Sequence, residues 1–339
     1  EITSGLDQYL EDLREQGLHP AIETTSFATP NQLRDHLASH YLGSTGLGGA
    51  VFIGDLPIEY FEREAHAGWG YERFPIDLYY MDLDGTWADH DSDGTFDTHS
   101  GDTAPEIYVG RLPASPLVSL HSGRSEANLL NNYFEKNHDY RLGRLRLPRG
   151  GLIYRDDIWE PWGPAWGAAV EASGVGGIDV VVDRNVTTAG DYQHRIDAAY
   201  SPGYERLLVA THSWYGGHAF ASSTGTTYLV SEEIAEIVPQ ILFYDVFGCS
   251  AANYTMEGYL AGEYVFSSNT GLLAVGPTKK GAMLQFEDYY TPIGQGASHG
   301  EAYLAWWLIQ AQDGFSERET DWHYGMTMIG DPTLTGQIP

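Results

Sequence analysis

The chain has 339 residues, of which 42% are hydrophobic and 13% aromatic, and its formal net charge is −29. This composition is that of a folded globular protein and excludes a disordered chain. Such an acidic surface disfavours nucleic acid and anionic membranes as partners, because both are polyanions. No stretch approaches the ~20 apolar residues that a membrane helix needs, so we expect no membrane span.

Short β-rich runs alternate with helical patterns along the chain. The predicted strands are at 48–55, 77–83, 104–114, 149–157, 177–184, 204–213, 240–250 and 270–278. The predicted helices are at 31–42, 125–140, 164–173, 188–200, 231–237, 256–264 and 298–312. This alternation favours an α/β fold with a mostly parallel sheet and helices on both faces. A soft boundary near 115–125 predicts a smaller N-terminal α/β subdomain over 1–125 and a second subdomain over 126–339.

Two chemically reactive side chains follow apolar strands. Cys249, the only cysteine, comes after "ILFYDVFG", and His212 comes after "LLVAT". If the two strands are neighbours in a parallel sheet, both side chains emerge at one edge, where functional groups collect. An imidazole is the usual partner that makes a thiol nucleophilic. Asp156 or Asp157, at the end of "LIYRDD", would hold the imidazole in place.

Each of these residues also has an ordinary structural explanation. A lone cysteine is often an inert buried side chain, and a histidine after a strand is often only a hydrogen-bonded loop residue. His218 is a second candidate for the base. The combination is more informative, because glycines near both residues would let backbone N–H groups turn toward a reacting carbonyl oxygen. The pattern therefore favours a cysteine nucleophile with a histidine base.

Several blocks along the chain resemble the gingipain-type cysteine peptidases, which share the caspase-like fold. The blocks are "FIGDLP" (52–57), "DLYYMDLDGTW" (77–87), "PEIYVGRLPA" (105–114), "LLVATHS" (207–213), "LFYDVFGCSAANY" (242–254), "GLLAVGPT" (271–278) and "MIGDPTL" (328–334). The resemblance implies a cysteine endopeptidase acting on a protein or peptide substrate, with residues 126–339 as the caspase-like catalytic subdomain. It implies Cys249 as nucleophile, His212 as base and Asp157, preferred over Asp156, as the residue that orients His212.

The oxyanion site departs from the family pattern at one position. Family members usually have glycine after the catalytic histidine, and this chain has Ser213. A serine N–H can donate equally well where its backbone φ is not positive. We therefore predict that the backbone N–H groups of Ser213 and Cys249 bind the oxyanion. Trp214 and Tyr215 are predicted to line the substrate cleft, although they could equally pack under the loop.

Residue preference at the cleavage site does not follow from the resemblance. Members selective for arginine or lysine carry an acidic residue on the helix after the 150–157 strand, but "PAWGAAVEASG" has none before Glu171. Glu160 in the preceding loop is the nearest substitute. Lys279 and Lys280 after "GLLAVGPT" would favour an acidic substrate residue, with Lys279 as the predicted contact, unless both are ordinary solvated lysines.

The segment "DHDSDGTFD" matches the first half of an EF-hand-type calcium loop. The predicted ligands are Asp89, Asp91, Asp93, Asp97 and the carbonyl group of Thr95. Position 12 of the loop is Ser100 instead of glutamate, so the closing ligand must come from Asp97, Asp102 or Glu106. We expect a structural calcium ion here, pinning the loop between the strands at 77–83 and 105–110. An acidic surface turn is the alternative.

Two other functions remain open. Some members of the resembled family transfer the acyl group to an amine, so a sortase-like transpeptidase shares the chemistry up to the acyl-enzyme. A catalytically silent, calcium-stabilised binding or adhesion domain is the alternative from another class. The sequence predicts no organic cofactor, and with one cysteine it shows no cysteine–histidine zinc spacing. The acid-rich, lysine-poor composition indicates an extracellular or cell-surface location.

Overall fold

The computed structural model describes residues 2–43, 46–156, 159 and 163–336. The chain folds around one mostly parallel sheet, as the sequence predicts. The strands in chain order are β1 (Gly49–Ile53), β2 (Tyr60–Ala65), β3 (Gly70–Pro75), β4 (Thr86–Ala88), β5 (Thr98–Ser100), β6 (Tyr108–Leu112), β7 (Gly151–Arg155), β8 (Ile178–Val181), β9 (Tyr204–Ala210), β10 (His212–Trp214), β11 (Gly217–Ser222), β12 (Gly225–Val230), β13 (Ile241–Phe247), β14 (Leu273–Pro277) and β15 (Met326–Gly330).

Eight of these strands form the central sheet in the order β1-β6-β15-β14-β13-β9-β7-β8. Within the described residues, β14–β15 is the one antiparallel pair of that sheet. Strands from both sides of residue 125 belong to this sheet, since β1 and β6 join it through the pair Arg111–Ile329. The division into 1–125 and 126–339 stays a prediction.

Helices cover both faces of the sheet. They are α1 (Thr3–Glu15), α2 (Pro30–Tyr41), α3 (Leu78–Met81), α4 (Glu126–Arg141), α5 (Gly163–Ala172), α6 (Ala189–Ile196), α7 (Ser231–Glu236), α8 (Leu260–Gly262), α9 (Phe286–Gly294), α10 (His299–Gln310) and α11 (Glu317–His323). A 3₁₀ helix spans Ser115–Leu120, and a π-helical turn over Glu263–Ser267 continues α8. Among the described residues, no helix is both long and apolar enough to span a membrane.

Strand β13 shows why this sequence folds as a central strand. All seven of its residues are buried. Phe243 and Phe247 contribute to the apolar core on one face of the sheet, and Tyr244 and Val246 contribute to the core on the other. A strand covered on both faces has a nearly continuous apolar run instead of an alternating one. The run "ILFYDVF" therefore places the residues after it at the edge of a rigid sheet.

Three smaller sheets lie outside the central one. Strands β2 and β3 form one hairpin, β4 and β5 form another, and β10, β11 and β12 form a three-stranded antiparallel sheet. The last of these begins two residues after β9 ends. His212 is therefore the first residue of this small sheet and lies just beyond the end of β9.

Two predicted elements were wrong. Residues 77–83 do not form a strand, because Leu78–Met81 is a single, fully buried helical turn. The carboxylate of Asp77 fixes this turn, since it accepts hydrogen bonds from the Arg111 guanidinium at 2.7 Å and the Tyr254 hydroxyl at 3.0 Å. The helix predicted at 256–264 begins only at Leu260. Helices α1, α9 and α11 were not predicted.

Candidate functional site

The ends of β9 and β13 bring the histidine and cysteine segments together. The two strands are parallel neighbours, with Ala210 paired to Phe247. The pairing continues one step further, because the Thr211 N–H donates to the Phe247 carbonyl group at 3.2 Å. Adjacent strands lie about 4.8 Å apart, so this register places His212 and Cys249 at the same edge of the sheet. The predicted adjacency of the two strands is confirmed.

A direct contact joins the two segments just beyond the strands. A β-carbon placed on Gly248 would lie 2.2 Å from Ser213 Oγ and 3.2 Å from the Thr211 carbonyl oxygen. Only glycine leaves room for the Ser213 side chain at this point. The residue after His212 is therefore packed against the residue before Cys249, and this contact fixes how closely the two segments approach.

The Ser213 hydroxyl also contacts His218, the second candidate for the base. Ser213 Oγ lies 2.7 Å from His218 Nδ1, and His218 Nε2 lies 3.0 Å from the Tyr264 hydroxyl. His218 is fully buried, and this burial lowers its pKa to about 3. An imidazole that stays neutral and enclosed at neutral pH does not reach a substrate. His212, by contrast, is exposed.

The backbone around Cys249 leaves one donor without an internal acceptor. Ser250 has φ 58°, one of three positive values among the described non-glycine residues, and its N–H donates to the Lys279 carbonyl group at 2.7 Å. Within the described part of the chain, the Cys249 N–H has no hydrogen-bond acceptor. Ser213 does not have a positive φ, so the condition for donation by its N–H is met. Cys249 itself is half-buried.

Of the two acidic candidates after β7, Asp156 lies within the described residues and Asp157 does not. Asp156 is fully buried, and its carboxylate accepts the Thr211 hydroxyl at 2.9 Å and the Ala221 N–H at 3.4 Å. It therefore braces the segment that carries His212 at both ends of the β10–β11 hairpin. Asp157, the preferred residue, and Glu160 lie outside the described residues, so the role of Asp157 stays a prediction.

The aromatic pair after His212 is only partly open to solvent. The Trp214 ring lies against its own hairpin, since a β-carbon on Gly217 would be 2.7 Å from it, and its centroid is 6.3 Å from that of Tyr228. Tyr215 is 39% exposed, and its carbonyl group accepts the Leu260 N–H at 2.6 Å. Their role in lining a substrate cleft stays a prediction.

Lys279 is not a solvated surface lysine. Its side chain is buried, and its ammonium group donates to the carbonyl groups of Lys280, at 2.6 Å, and Asp321. Glu72 lies 3.7 Å from the ammonium group. Burial lowers the pKa of Lys279 to about 8. The Lys279 carbonyl group holds Ser250, so this residue supports the cysteine turn, and substrate contact by its side chain stays a prediction.

The acidic loop forms two groups of carboxylates. Asp89, Asp91 and Asp97 lie within 4.8 Å of one another, and Glu62 groups in the same way with Asp91 and Asp93. The loop carboxylates accept hydrogen bonds from the loop's own N–H groups, for example Gly94 to Asp89 at 2.9 Å. Glu62 lies on β2 and is 4% exposed.

Of the predicted closing ligands, only Asp97 lies with the loop in these groups. Glu106 lies with Asp82 and Asp84 in a separate acidic cluster, and burial raises the pKa of Glu106 to about 7. Glu62 was not predicted as part of this group, because it is distant in sequence from the loop. The Ser213–His218 contact was not predicted either, because neither the hairpin register nor the burial of His218 can be read from local sequence.

Three solved structures share the fold of this chain. The crystal structure of the Arg-specific cysteine proteinase gingipain R (RgpB) matches with a TM-score of 0.67 and 14% identity, covering 98% of this chain and 76% of that one. The complex of Porphyromonas gingivalis RgpB pro- and mature domains matches with a TM-score of 0.69 and 13% identity, covering 99% and 77%. A further protease structure matches with a TM-score of 0.67 and 11% identity, covering 99% and 76%.

These similarities confirm the gingipain resemblance at the level of the fold. The TM-scores of 0.67–0.69 support a cysteine-peptidase fold, and identities of 11–14% do not by themselves establish activity. No protein-family model and no curated protein matches the chain significantly.

Proposed function

We propose that the chain is a cysteine peptidase in which Cys249 is the nucleophile and His212 the general base. The observation that carries the proposal is the register of β9 and β13, which brings the segments that follow the two strands to the same edge of the sheet. The contact of Ser213 with Gly248 supports it, because it holds the two segments together. The shared fold of a cysteine proteinase is consistent with this chemistry.

The proposed reaction uses the thiol of Cys249 and the imidazole of His212. His212 takes the thiol proton, and the sulfur attacks the scissile carbonyl carbon. The C–N bond then breaks as His212 returns the proton to the leaving amine, which gives a thioester. Water, deprotonated by His212, attacks the thioester and releases the carboxylic acid and the free thiol. Asp157, or alternatively Asp156, would orient His212.

The oxyanion would be bound by backbone donors. The Cys249 N–H has no acceptor within the described part of the chain, so it can donate to the developing negative charge. The Ser213 N–H is the second proposed donor. Donors fixed in position before the reaction stabilise the transition state without reorganising, which is the largest single contribution in many acyl transfers. Trp214, Tyr215 and Lys279 are the proposed contacts for a protein or peptide substrate.

We also propose a structural calcium ion in the acidic loop. The donor set fits, because Asp89, Asp91, Asp93, Asp97 and Glu62 offer hard carboxylate oxygens in two overlapping groups. The Thr95 carbonyl group is the further proposed ligand. A calcium ion there would offset the repulsion among the carboxylates and tie the loop to β2 through Glu62. An extracellular or cell-surface location, where calcium is abundant, agrees with the acidic composition.

A peptide-library experiment tests the proposed function. The chain is incubated with a library of peptides, with calcium or with a chelator, and the products are identified by mass spectrometry. We expect cleavage by the wild type and none by Cys249→Ala. If an added amine becomes joined to the new carboxyl terminus, the chain is a transpeptidase. If neither cleavage nor transfer occurs with calcium present, the chain is a silent domain on this fold, and the proposal fails.

A further inference from the structure

A second cluster of ligand-type side chains lies far in sequence from the cysteine and histidine segments. His36 and His40 occupy i and i+4 positions on α2, and their ring centroids are 4.6 Å apart. Both imidazoles turn toward one carboxylate: Glu23 Oε2 lies 2.5 Å from His36 Nε2, and Glu23 Oε1 lies 3.2 Å from His40 Nε2. One donor atom from each residue lies within 4.8 Å of the others.

We propose that Glu23, His36 and His40 form a zinc-binding site. Zinc binds imidazole nitrogen and carboxylate oxygen at about 2.0–2.2 Å, so tetrahedral ligands are about 3.4 Å apart. The Glu23–His40 spacing of 3.2 Å is close to this value, whereas the Glu23–His36 spacing of 2.5 Å is shorter, so a side-chain rotation that separates Glu23 from His36 would complete the geometry. Two histidines and one carboxylate leave the fourth position for water. The site contains no cysteine, so cysteine–histidine spacing in the sequence does not indicate it.

The donor set selects a transition metal over calcium. Imidazole suits zinc, copper and nickel, whereas calcium takes six to eight oxygen ligands. The acidic loop at 89–97 offers mainly carboxylate and carbonyl oxygens, with a single imidazole, that of His90, 2.9 Å from Asp97. The two clusters would therefore bind different ions. The two imidazoles and one carboxylate of the Glu23, His36 and His40 cluster are therefore suited to zinc.

A helix that is packed into the core meets a segment without regular secondary structure at this cluster. Helix α2 is anchored in the core by the buried residues Leu33 and Leu37, and its first turn is capped by Thr29. Glu23 belongs to the segment 18–28, which has no helix or strand. Within the described part of the chain, the only ion pairs of Glu23 are those with His36 and His40 on α2. A bound zinc ion would therefore fasten the segment to α2.

The three side chains are accessible to an incoming ion. The exposed fractions are 32% for His36, 43% for His40 and 46% for Glu23. Partial exposure also means that replacing any one of them leaves no buried cavity, so the variants should fold. The proposal is independent of the peptidase function.

Zinc titration with matched variants tests the site. The probe is zinc alone, added in millimolar calcium so that the acidic loops are occupied, in a Cys249→Ser background that removes the thiol. Isothermal titration should show one zinc ion bound. Affinity should fall at least about tenfold, which is the smallest loss expected even for an outer-sphere partner, in His36→Ala, His40→Ala and Glu23→Gln. His194→Ala, which removes an exposed histidine on α6, is the control and should bind as before.

Limited proteolysis supplies a second measurement that does not depend on heats of binding. Zinc should slow cleavage within residues 18–28 in the parent protein and in His194→Ala, and should leave cleavage unchanged in His40→Ala. Unchanged zinc affinity in His36→Ala and His40→Ala would overturn the proposal. Failure of the parent protein to bind zinc, or to gain protection, would overturn it as well.

Discussion

The edge of the sheet at Cys249 is held by contacts with the rest of the fold, whereas the acidic loop at 89–97 is held mainly by contacts within itself. The first is fixed by strand register, by a partly buried Ser213–His218 contact and by the close approach of Ser213 to Gly248. The second is a surface loop whose carboxylates bond mainly to its own N–H groups. The sheet edge therefore keeps its geometry without a ligand, whereas in the loop the proposed calcium ion would offset charge repulsion.

The largest expected effect comes from enlarging Gly248. In Gly248→Ala, the new methyl group would overlap Ser213 Oγ and separate the histidine and cysteine segments. We expect a stability loss of about 1–3 kcal/mol, which is typical of overpacking, and a sharp fall in the reactivity of Cys249. Denaturant unfolding and thiol alkylation measure the two effects.

Two further variants sharpen this prediction. At Gly190, a β-carbon would meet no atom within 4 Å. Gly190→Ala should therefore change neither the stability nor the reactivity of Cys249 appreciably. Ser213→Gly combined with Gly248→Ala removes the overlap and should restore much of the lost stability. If Gly248→Ala alone is as stable and as reactive as the wild type, the two segments are not packed as described.

Removing calcium should affect the acidic loop strongly and the sheet edge weakly. An ion at 100 times its dissociation constant stabilises the folded state by about 2.7 kcal/mol, so a chelator should lower the melting temperature by several degrees. Asp91→Asn/Asp93→Asn should abolish the difference between calcium and chelator in a melting experiment.

The matched control removes two carboxylate charges from another surface of the protein. Glu232→Gln/Glu236→Gln removes two exposed carboxylates from α7 and should keep the full response to calcium. A wild type that melts at the same temperature with calcium and with chelator would mean that the loop is only an acidic turn.

A smaller effect is expected from the pH dependence of stability. Because burial lowers the pKa of His218 to about 3, the folded state keeps it neutral while the unfolded chain takes up a proton below its ordinary pKa of about 6.5. Stability from this group is thus full above pH 6.5 and is lost as the pH falls toward 3. The loss amounts to about 1 kcal/mol over the first pH unit below 6.5.

The variant His218→Phe isolates this contribution. It lacks the titrating group, so its free energy of unfolding should fall less steeply than that of the wild type between about pH 6.5 and 5. Urea unfolding at a series of pH values gives the two slopes. Equal slopes would show that His218 titrates normally and is not enclosed beside Ser213.

The parts of the fold that could be predicted are those encoded in continuous apolar runs. "ILFYDVF" and "LLVA" are buried on both sides of the sheet, and parallel α/β sheets place functional residues after such strands. The adjacency of the His212 and Cys249 segments follows from that rule. Strand β2 was not predicted, because "YFEREA" carries charged residues, and the buried Glu62 among them gives no apolar signal.

Other features depended on contacts between distant residues. A lysine usually indicates a surface position, yet Lys279 is enclosed by Glu72, Trp69 and the carbonyl group of Asp321. The pairing of Ser213 with His218 depends on the register of the β10–β11 hairpin. The helical turn at Leu78–Met81 was mistaken for a strand, since four buried residues in a row fit either structure.

The most direct test of the account is the rate at which iodoacetamide alkylates Cys249 in the wild type and in His212→Ala. A catalytic pair keeps the thiol reactive at about pH 6.5, where an isolated thiol is almost entirely protonated. We predict rapid alkylation of the wild type, and alkylation slowed by about 100-fold or more in His212→Ala, with His194→Ala behaving as the wild type. Slow alkylation that does not change when His212 is replaced would contradict the proposed nucleophile and base.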